Sequence, residues 1–361
     1  MTISLCMIVK NEEDTLERCL KSASPLVDEI IIVDTGSTDL TKQIASTQGA
    51  KLFDFPWIDD FSAARNFAFS KGTMDYCLWL DADDVILPED LSVMLSLKQT
   101  ILPGTDIVMM RYHTAFDEAG KPTFSYYRER LIRRAAGLSW KGRIHESIEP
   151  AGKIIYCEAA VTHRKLHSGD PDRNLHIFEK MLAEGIAFEP REQFYYAREL
   201  TYHARDTEAV TILENFLATG HGWVENNLEA CRVLSQCYQR LGEEQKSLRA
   251  LLRSLEYGLP RAELCCDIGG WFFHRQNYKT AVFWYQQALL CERDDARGGF
   301  VLPDCYDYLP ALQLCVCFFR LGDVQKAILS NERAAQAKPD SSACQFNRTF
   351  FQQLSPSEAS H

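Results

Sequence analysis

The fold is decided by residues 76–84, which read YCLWLDADD. An apolar run of this length, rich in aromatic and large aliphatic residues, is typical of a strand that is buried on both faces. Three carboxylates follow within four positions, at Asp81, Asp83 and Asp84. Ligands of open α/β sheets collect at the carboxyl ends of the strands. The stretch therefore predicts an α/β fold whose functional site lies where this strand ends.

The acidic turn favours a divalent cation. Asp-X-Asp places two hard oxygen donors on one short turn, which suits Mg²⁺ or Mn²⁺, and such an ion usually completes its shell with substrate phosphates and water. The competing interpretation is that Asp81 or Asp84 only caps the helix that begins near Pro88 and Glu89. The turn alone does not decide between the two.

Length, charge and cysteine content narrow the number of domains, the kind of partner and the compartment that the sequence allows. The chain has 361 residues, which favours two domains over one. A formal net charge of −11 argues against a protein that binds the nucleic-acid backbone. No run approaches the roughly 18 apolar residues of a spanning helix, so we expect no transmembrane segment and a cytoplasmic protein. Thirteen cysteines, mostly within apolar patterns, fit a reducing compartment better than a zinc site.

The first half of the chain alternates strand and helix as far as about Thr162. Strands are predicted at 3–9, 29–33, 51–55 and 76–80, with helices between them, so we expect right-handed βαβ units and a mostly parallel sheet. Three later apolar runs, 107–112, 126–134 and 154–161, have no helix between them and predict antiparallel strands beside that core. Six basic residues in this part either face phosphates or cover a solvated strand: Arg128, Arg130, Arg133, Arg134, Lys141 and Arg143.

From Asp172 onward, helical periodicity replaces the strand pattern. Four segments fall in one register, and each ends on a small residue: 203–209, 241–247, 275–281 and 321–327. The middle two are 34 residues apart, the period of tetratricopeptide helix pairs. Residues 292–306 are predicted to be an inserted loop. We predict a first domain at 1–170, a tetratricopeptide-like helical domain at 171–354 and a disordered tail at 355–361; a plain helical bundle is the alternative for the second.

A family resemblance rests on five motifs that occur in order: MIVKNE at 7–12, IVDTGSTD at 32–39, WIDDF with ARN at 57–66, WLDAD at 79–83 and RIHE at 143–146. The series resembles the family 2 glycosyltransferases of the GT-A fold. It is most similar to the bacterial branch that carries a tetratricopeptide tail and includes the peptide S-glycosyltransferases of the sublancin type. The resemblance covers roughly the first 165 residues.

This resemblance implies roles for residues at adjacent strand ends. Asp83 would be the direct metal ligand, Asp81 would contact the ribose, the metal or its water, and Asp84 would serve the following helix. His163 would complete the metal shell in preference to His167. The nucleotide-sugar would be bound by the residues of the first two motifs and of the ARN segment, with Arg65 as a bidentate phosphate donor: Val9, Asn11, Glu12, Asp34, Gly36, Arg65 and Asn66, together with Asp81.

The resemblance also implies a catalytic base. Glu146 would take the proton of the acceptor, with His145 as its positioning neighbour, and Asp59 and Asp60 are the rival acids. The resemblance therefore predicts a metal-dependent, inverting transfer of a hexose from a nucleotide-sugar, such as a UDP-sugar, to a Cys or Ser/Thr side chain of a peptide or protein. The helical array would hold part of that acceptor.

Three points stay open at this stage. The acceptor could instead be a cell-envelope glycan or a lipid-linked precursor. The first domain could be an inactive transferase that serves as an interaction module. A homo-oligomer is compatible with the sequence, and the sequence specifies neither the sugar nor the metal.

Overall fold

The protein is described here by a computed structural model that covers residues 1–117, 120, 122–167, 169–294 and 299–354. It separates into two compact units, Met1–Ala187 and Phe188–His361. The first unit extends beyond the predicted boundary at residue 170, because helix α5 (Arg173–Ala183) belongs to it. The predicted disordered tail, 355–361, lies outside the described residues.

The first unit is built on a mixed sheet with the strand order β3-β2-β1-β4-β7-β6-β10-β5. Its strands in chain order are β1 (Ile3–Val9), β2 (Glu29–Asp34), β3 (Lys51–Asp54), β4 (Tyr76–Leu78), β5 (Asp84–Val85), β6 (Ile107–Phe116), β7 (Pro122–Arg133) and β10 (Ile154–His163). Two short strands, β8 (Trp140–Lys141) and β9 (Ser147–Ile148), form a separate antiparallel pair. The helices that accompany the sheet are α1 (Leu16–Ala23), α2 (Thr41–Thr47), α3 (Phe61–Lys71) and α4 (Pro88–Thr100).

The parallel half of the sheet confirms the predicted βαβ pattern. Strand β1 pairs in parallel with both β2 and β4, and β2 pairs in parallel with β3. The apolar residues of β1 and β4 are almost wholly buried, as expected for strands covered on both faces. These strands therefore end at one edge of the sheet, where residues 9–12, 34–37 and 79–84 lie.

The later strands correct one prediction. Strand β7 is antiparallel to β4 and β6, as expected, but β10 is parallel to β6. The expectation of antiparallel pairing throughout is therefore wrong for β10. The chain returns through β7 and the β8–β9 pair before β10, so β10 enters the sheet in the same direction as β6. The C-terminal end of β10 then reaches β5, where His163 lies opposite Asp84.

The second unit is all-helical over its described residues. Its helices are α6 (Pro190–Tyr202), α7 (Asp206–Thr219), α8 (Val224–Arg240), α9 (Glu244–Arg253), α10 (Ala262–His274), α11 (Tyr278–Ala288), α12 (Tyr308–Arg320), α13 (Val324–Ala337) and α14 (Ser342–Gln353). Each predicted repeat segment spans the turn inside one helix pair, and its closing small residue is fully buried: Ala209, Ser247, Ala281 and Ala327. These buried small residues let the paired helices approach closely, which confirms the tetratricopeptide-like architecture.

No helix within the described ranges has the length and apolar character needed to span a membrane. The inserted loop at 292–306 is described apart from 295–298, and it ends in a 3₁₀ turn at Pro303–Tyr306.

Candidate active site

The ends of β1 and β2 form the first part of the site. Val9 and Asp34 are opposite each other in the parallel pair. The Oδ1 atom of Asp34 accepts hydrogen bonds of 2.9 Å from the N–H groups of Gly36 and Ser37, and Gly36 permits this turn with φ = 110°. Burial raises the pKa of Asp34, but the hydrogen bonds from Ser37 and Gly36 outweigh it and hold that pKa below its ordinary value. Within the described part of the chain, the buried Oδ2 atom of Asp34 has no hydrogen-bond partner.

Asn11 and Glu12 connect this turn to the rest of the site. The Asn11 N–H donates to Ser37 Oγ at 2.9 Å, and Asn11 Oδ1 accepts from the Thr38 N–H at 2.8 Å. Asn11 is left-handed, with φ = 54°, a conformation that Asn tolerates better than most residues. Burial raises the pKa of Glu12, and the nearby carboxylates of Asp83 and Asp81 raise it further. The first two predicted motifs therefore meet, and Glu12 faces the acidic turn.

The three carboxylates of the acidic turn differ in their contacts and in their exposure. The Asp84 N–H donates to the Asp81 carbonyl at 3.0 Å, which closes the turn after β4. Asp81 pairs with Arg65, whose Nη2 lies 2.8 Å from Asp81 Oδ1. The side chain of Asp84 is fully buried, whereas those of Asp83 and His163 are 20% and 25% exposed. The same turn thus supplies one carboxylate to an ion pair with Arg65 and two to a candidate metal group.

Asp83, Asp84 and His163 form the candidate metal centre. One ligand atom from each lies within 4.8 Å of the others. Two carboxylates and an imidazole fit Mn²⁺ or Mg²⁺, which favour oxygen ligands and accept a nitrogen at such sites. Antiparallel pairing between β5 and β10 produces the cluster, because it places Asp84 opposite His163. His167, the alternative, instead pairs at the surface with Asp14 at 3.0 Å.

The structure corrects the role that the sequence predicted for Asp84. It was expected to serve the following helix, but its carboxylate bonds to the Tyr112 hydroxyl at 2.9 Å and to Arg130 at 3.2 Å. Helix α4 instead begins with Pro88 at its first position and Glu89 in its first turn. Asp81, which the sequence also proposed as a metal ligand, is engaged by Arg65, and Asp84 takes its place in the three-residue group.

Arg65 is surrounded by two tryptophan rings and two carboxylates. Its guanidinium carbon is 4.9 Å from the ring centroids of both Trp79 and Trp140. Its Nε donates to Glu146 Oε1 at 2.5 Å and its Nη2 donates to Asp81. Among the described residues, its buried Nη1 has no partner. Two of the five N–H donors of Arg65 are thus held by carboxylates, and a bidentate contact with phosphate through the remaining donors stays a prediction.

The three candidate bases have different surroundings. Glu146 lies in the loop between β8 and β9, with a side chain that is 11% exposed and held by Arg65. Asp60 caps helix α3 by accepting from the Ala63 N–H at 2.9 Å. Asp59 pairs with Lys180, which lowers the pKa of Asp59 and makes it a weaker base. The structure therefore leaves Glu146 as the acid closest to the Asp81–Arg65 pair.

His145 and Asn66 contribute to structure around Glu146. The His145 ring stacks on Phe178 of α5 with 6.2 Å between centroids, and its backbone is left-handed with φ = 52°. Such a conformation costs about 1 kcal/mol for a residue with a β-carbon. Both ends of the Asn66 amide bond to the backbone of Trp140, at 2.9 Å each. Asn66 thus fixes β8, and the amide that was predicted to contact the donor is committed to that strand.

Sequence reasoning missed Tyr112, Trp140 and the role of Arg130. Tyr112 lies in β6, far from every quoted motif, and Arg130 was grouped with residues that face phosphate or solvent, yet it is fully buried against Asp84. The other basic residues of that group are spread over separate contacts, such as Arg133 with Asp106 and Arg143 with Glu184. A buried arginine opposite an acidic turn has no local sequence signal, because its partner is 46 residues away in the chain.

Comparisons with known proteins find relatives of the chain. The sequence model of glycosyl transferase family 2 matches residues 4–151. A TPR repeat-containing protein of Synechococcus elongatus is 39% identical over 150 residues, which are 41% of this chain and 35% of the relative. The glycosyltransferase SunS of Bacillus subtilis is 27% identical over 232 residues, which are 59% of this chain and 52% of SunS. The chain thus spans about half or less of the length of these relatives.

Solved structures include similar chains at low global similarity. Glucosyl-3-phosphoglycerate synthase of Mycobacterium tuberculosis, solved with Mn²⁺, UDP-glucose and phosphoglyceric acid, is 28% identical over 31% of this chain and 44% of its own, with a TM-score of 0.27. TarS of S. aureus is 15% identical over 68% of this chain and 55% of its own, with a TM-score of 0.39. The match to the glycosyl transferase family 2 model thus lies within the N-terminal unit, which also holds the strand-end site.

Proposed function

We propose that the chain is a metal-dependent, inverting glycosyltransferase that moves a hexose from a UDP-sugar to a Cys or Ser/Thr side chain of a peptide or protein. The observation that carries the proposal is the placement of two groups on one acidic turn. Ligand atoms of Asp83, Asp84 and His163 lie within 4.8 Å of one another, and Asp81 of the same turn is joined to Arg65, which also holds Glu146. A transferase needs both a cation for the leaving diphosphate and a base for the acceptor.

The nucleotide would bind at the ends of β1 and β2. The imide N–H of uracil is a donor, and the buried Asp34 Oδ2 is a free acceptor at that edge within the described chain. Asn11 and Gly36 shape the adjacent turn, and Glu12 lies between it and the acidic turn. These residues support a nucleoside diphosphate that runs from Asp34 toward Asp83.

Asp83 and His163 would hold the cation, with Mg²⁺ and Mn²⁺ as the candidates. When bound, it would offset the charge that develops on the departing diphosphate. We assign Arg65 a second role beside the predicted contact with phosphate. It holds Asp81 and Glu146 in place, and its stacking between two tryptophans fixes the guanidinium plane.

Glu146 would act as the general base. In the transfer, the sulfur or oxygen of the acceptor forms a bond to the anomeric carbon, the bond from that carbon to the diphosphate oxygen breaks, and the acceptor proton passes to Glu146. Attack from the side opposite the leaving group inverts the anomeric centre. A thiol acceptor would rely less on this base, because a thiol is more acidic than a hydroxyl.

The peptide acceptor is supported by the helical unit and by the resemblance to peptide S-glycosyltransferases. Tetratricopeptide arrays present an extended surface that suits a peptide. Residues of the inserted loop pack against these helices: Phe300 lies against Phe194 and Arg198 of α6, and the Leu302 N–H donates to Glu263 of α10 at 2.8 Å. We propose the cytoplasm as the place of reaction, since thirteen free thiols suit a reducing compartment.

The test is a transfer assay with labelled UDP-hexoses, Mn²⁺ or Mg²⁺, and matched peptides that present Cys, Ser or neither. We expect label on the Cys or Ser peptide and its loss in Asp83→Asn. Glu89→Gln is the matched control, because Glu89 is an exposed acid in the first turn of α4. Transfer only to envelope glycans or lipid-linked sugars would refute the peptide acceptor, and no turnover of any donor would refute the enzyme.

A further inference from the structure

Two residues outside the five sequence motifs, Tyr112 of β6 and Arg130 of β7, converge on the candidate metal centre. We propose that they are positioning residues that hold Asp84 as the hydrogen-bond partner of His163, so that Asp83 and the outer nitrogen of His163 take the cation. The inference rests on the proposed metal dependence, and it assigns Asp84 to a supporting role within the three-residue group. It follows from four observations.

The first is that both oxygens of Asp84 already have donors. Its Oδ1 accepts from the Tyr112 hydroxyl at 2.9 Å. Its Oδ2 accepts from Arg130 Nη1 at 3.2 Å and from the Asp81 N–H at 3.1 Å. The side chain of Asp84 has no exposed surface, whereas Asp83 and His163 keep 20% and 25% of theirs. A cation that arrives from solvent therefore meets Asp83 and His163 before Asp84.

The second observation concerns the imidazole. Nδ1 of His163 lies 3.1 Å from the Tyr112 hydroxyl and 3.4 Å from Asp84 Oδ1. A ring that donates its Nδ1 proton to this pair presents the lone pair of Nε2 to a cation. Carboxylate partners of metal-bound histidines commonly fix the tautomer in this way. Asp83 Oδ1 also lies 3.3 Å from this Nδ1. An ion bound by Asp83 and Nε2 therefore requires the Asp83 carboxylate to turn away from Nδ1, whereas Asp84 is held in place by Tyr112 and Arg130.

The third observation is that Arg130 balances the charge of Asp84. Its guanidinium carbon lies 3.9 Å from the Trp79 ring centroid and 4.3 Å from that of Tyr112. Its Nη1 also donates to the Trp79 carbonyl at 3.2 Å, just before the acidic turn. An anion paired with a buried arginine is a weaker cation ligand than an open carboxylate. Arg130 therefore connects the acidic turn to strand β7. It also leaves Asp83 as the stronger cation ligand of the two carboxylates.

The fourth observation is the strand register. His163 and Asp84 are directly opposite each other where β10 meets β5, and Thr162 is opposite Val85. The backbone thus fixes the distance between the imidazole and the buried carboxylate before any ion binds. Tyr112 reaches the same point from β6, the strand next to β10.

The test compares Tyr112→Phe with Tyr76→Phe. Each change removes one buried hydroxyl and keeps the ring: Tyr112 donates to Asp84 at 2.9 Å and Tyr76 donates to the Thr105 carbonyl at 2.7 Å, away from the site. We would measure Mn²⁺ binding to the whole chain with UDP and no acceptor, from the electron paramagnetic resonance signal of free Mn²⁺, and nitrogen coupling to the bound ion. Melting temperatures would report folding.

We expect the Kd for Mn²⁺ to rise about ten- to a hundredfold in Tyr112→Phe, with weaker nitrogen coupling, and to stay unchanged in Tyr76→Phe. In transfer assays, the apparent KM for the metal should rise while kcat at saturating metal changes little. Asp84→Asn should shift the Kd in the same direction. Unchanged Mn²⁺ affinity in Tyr112→Phe, or an equal loss in Tyr76→Phe, would overturn the inference. Absence of binding by the wild-type protein would instead overturn the proposed metal dependence on which it rests.

Discussion

Arg65 and Arg130 both stack on the ring of Trp79, but they pair with different carboxylates. The guanidinium of Arg65 meets two carboxylates, Asp81 and Glu146, which are 37% and 11% exposed. The guanidinium of Arg130 meets one carboxylate, Asp84, and both side chains of that pair are fully buried. The Arg65 cluster thus keeps an excess negative charge at an open edge, while the Arg130 pair is neutral and closed. Arginine–carboxylate pairs therefore have two roles here. The pairs of Arg65 belong to the proposed reactive site, and the pair of Arg130 with Asp84 supports the structure around it.

The largest effect is expected at Asp83, which lies in the turn between Asp81 and Asp84. Asp83→Asn keeps the shape of the side chain and removes its charge. If Asp83 is the principal carboxylate for the cation, we expect transfer to fall by about a thousandfold or more, in line with the several kcal/mol that a cation supplies to a leaving group. The measurement is kcat/KM for a UDP-hexose at saturating metal. A loss of less than tenfold would place the cation elsewhere.

The reactive character of the Arg65 cluster is tested at Glu146. Glu146→Gln removes the proposed base and leaves Asp81 as the partner of Arg65. We expect kcat to fall about a hundred- to ten-thousandfold for a hydroxyl acceptor, with little change in the KM for the donor. A smaller loss is expected for a thiol acceptor. Steady-state kinetics with paired Ser and Cys peptides would measure both.

Asp60→Asn is the control for the Glu146 result. Asp60 is one of the two rival acids, but it caps α3, so its replacement should change stability by no more than about 1 kcal/mol and leave kcat close to that of the wild type. If Asp60→Asn abolishes transfer and Glu146→Gln does not, the roles are reversed.

The framework character of the Arg130 pair is tested by stability. Arg130→Met leaves the Asp84 carboxylate buried without its cation, so we expect a loss of about 3–5 kcal/mol in the free energy of unfolding. The double variant Arg130→Met with Asp84→Asn should recover part of that loss, because the unpaired charge is gone. Chemical denaturation gives both values. Equal stability of Arg130→Met and the wild type would show that the pair does not support the fold.

A buried acid outside the site gives the smallest effect and a reference for the pH dependence. Burial raises the pKa of Glu29, but bonds from Lys51, Ser4 and Thr73 outweigh it and lower that pKa to about 2. Because the folded pKa is below the unfolded one, this stabilisation is present above about pH 4.5 and is lost as the pH falls toward 2. We expect the free energy of unfolding to fall by roughly 1–3 kcal/mol less in Glu29→Gln than in the wild type over that pH range. Denaturation at each pH would measure it.

The sequence predicted the parts of the fold that depend on local pattern. The βαβ alternation and the 34-residue repeat were visible because each repeats a short-range period, and the closing residues Ala209 and Ala281 are buried as expected. The acidic turn was recognisable because charge follows an apolar run abruptly. The parallel pairing of β10 with β6 was not predictable, since it depends on a long-range crossing of the chain.

The sequence was least informative about which carboxylate meets which cation. Asp81, Asp83 and Asp84 look alike in a four-residue turn, yet one pairs with Arg65, one is open and one is sealed by Arg130 and Tyr112. Those partners come from α3, β6 and β7, at separations that no local pattern encodes. The tertiary structure therefore determines the division of roles that the motif alone leaves undecided.

The most direct test of the central claim is a crystal structure of the protein with UDP and Mn²⁺, in which the anomalous signal of manganese locates the ion. The account predicts one ion bound by Asp83 and Nε2 of His163 and by diphosphate oxygens, with Asp84 behind it on Tyr112 and Arg130. An ion held by Asp81 or Glu146, or a diphosphate bound at this edge with no ion near Asp83, would contradict it.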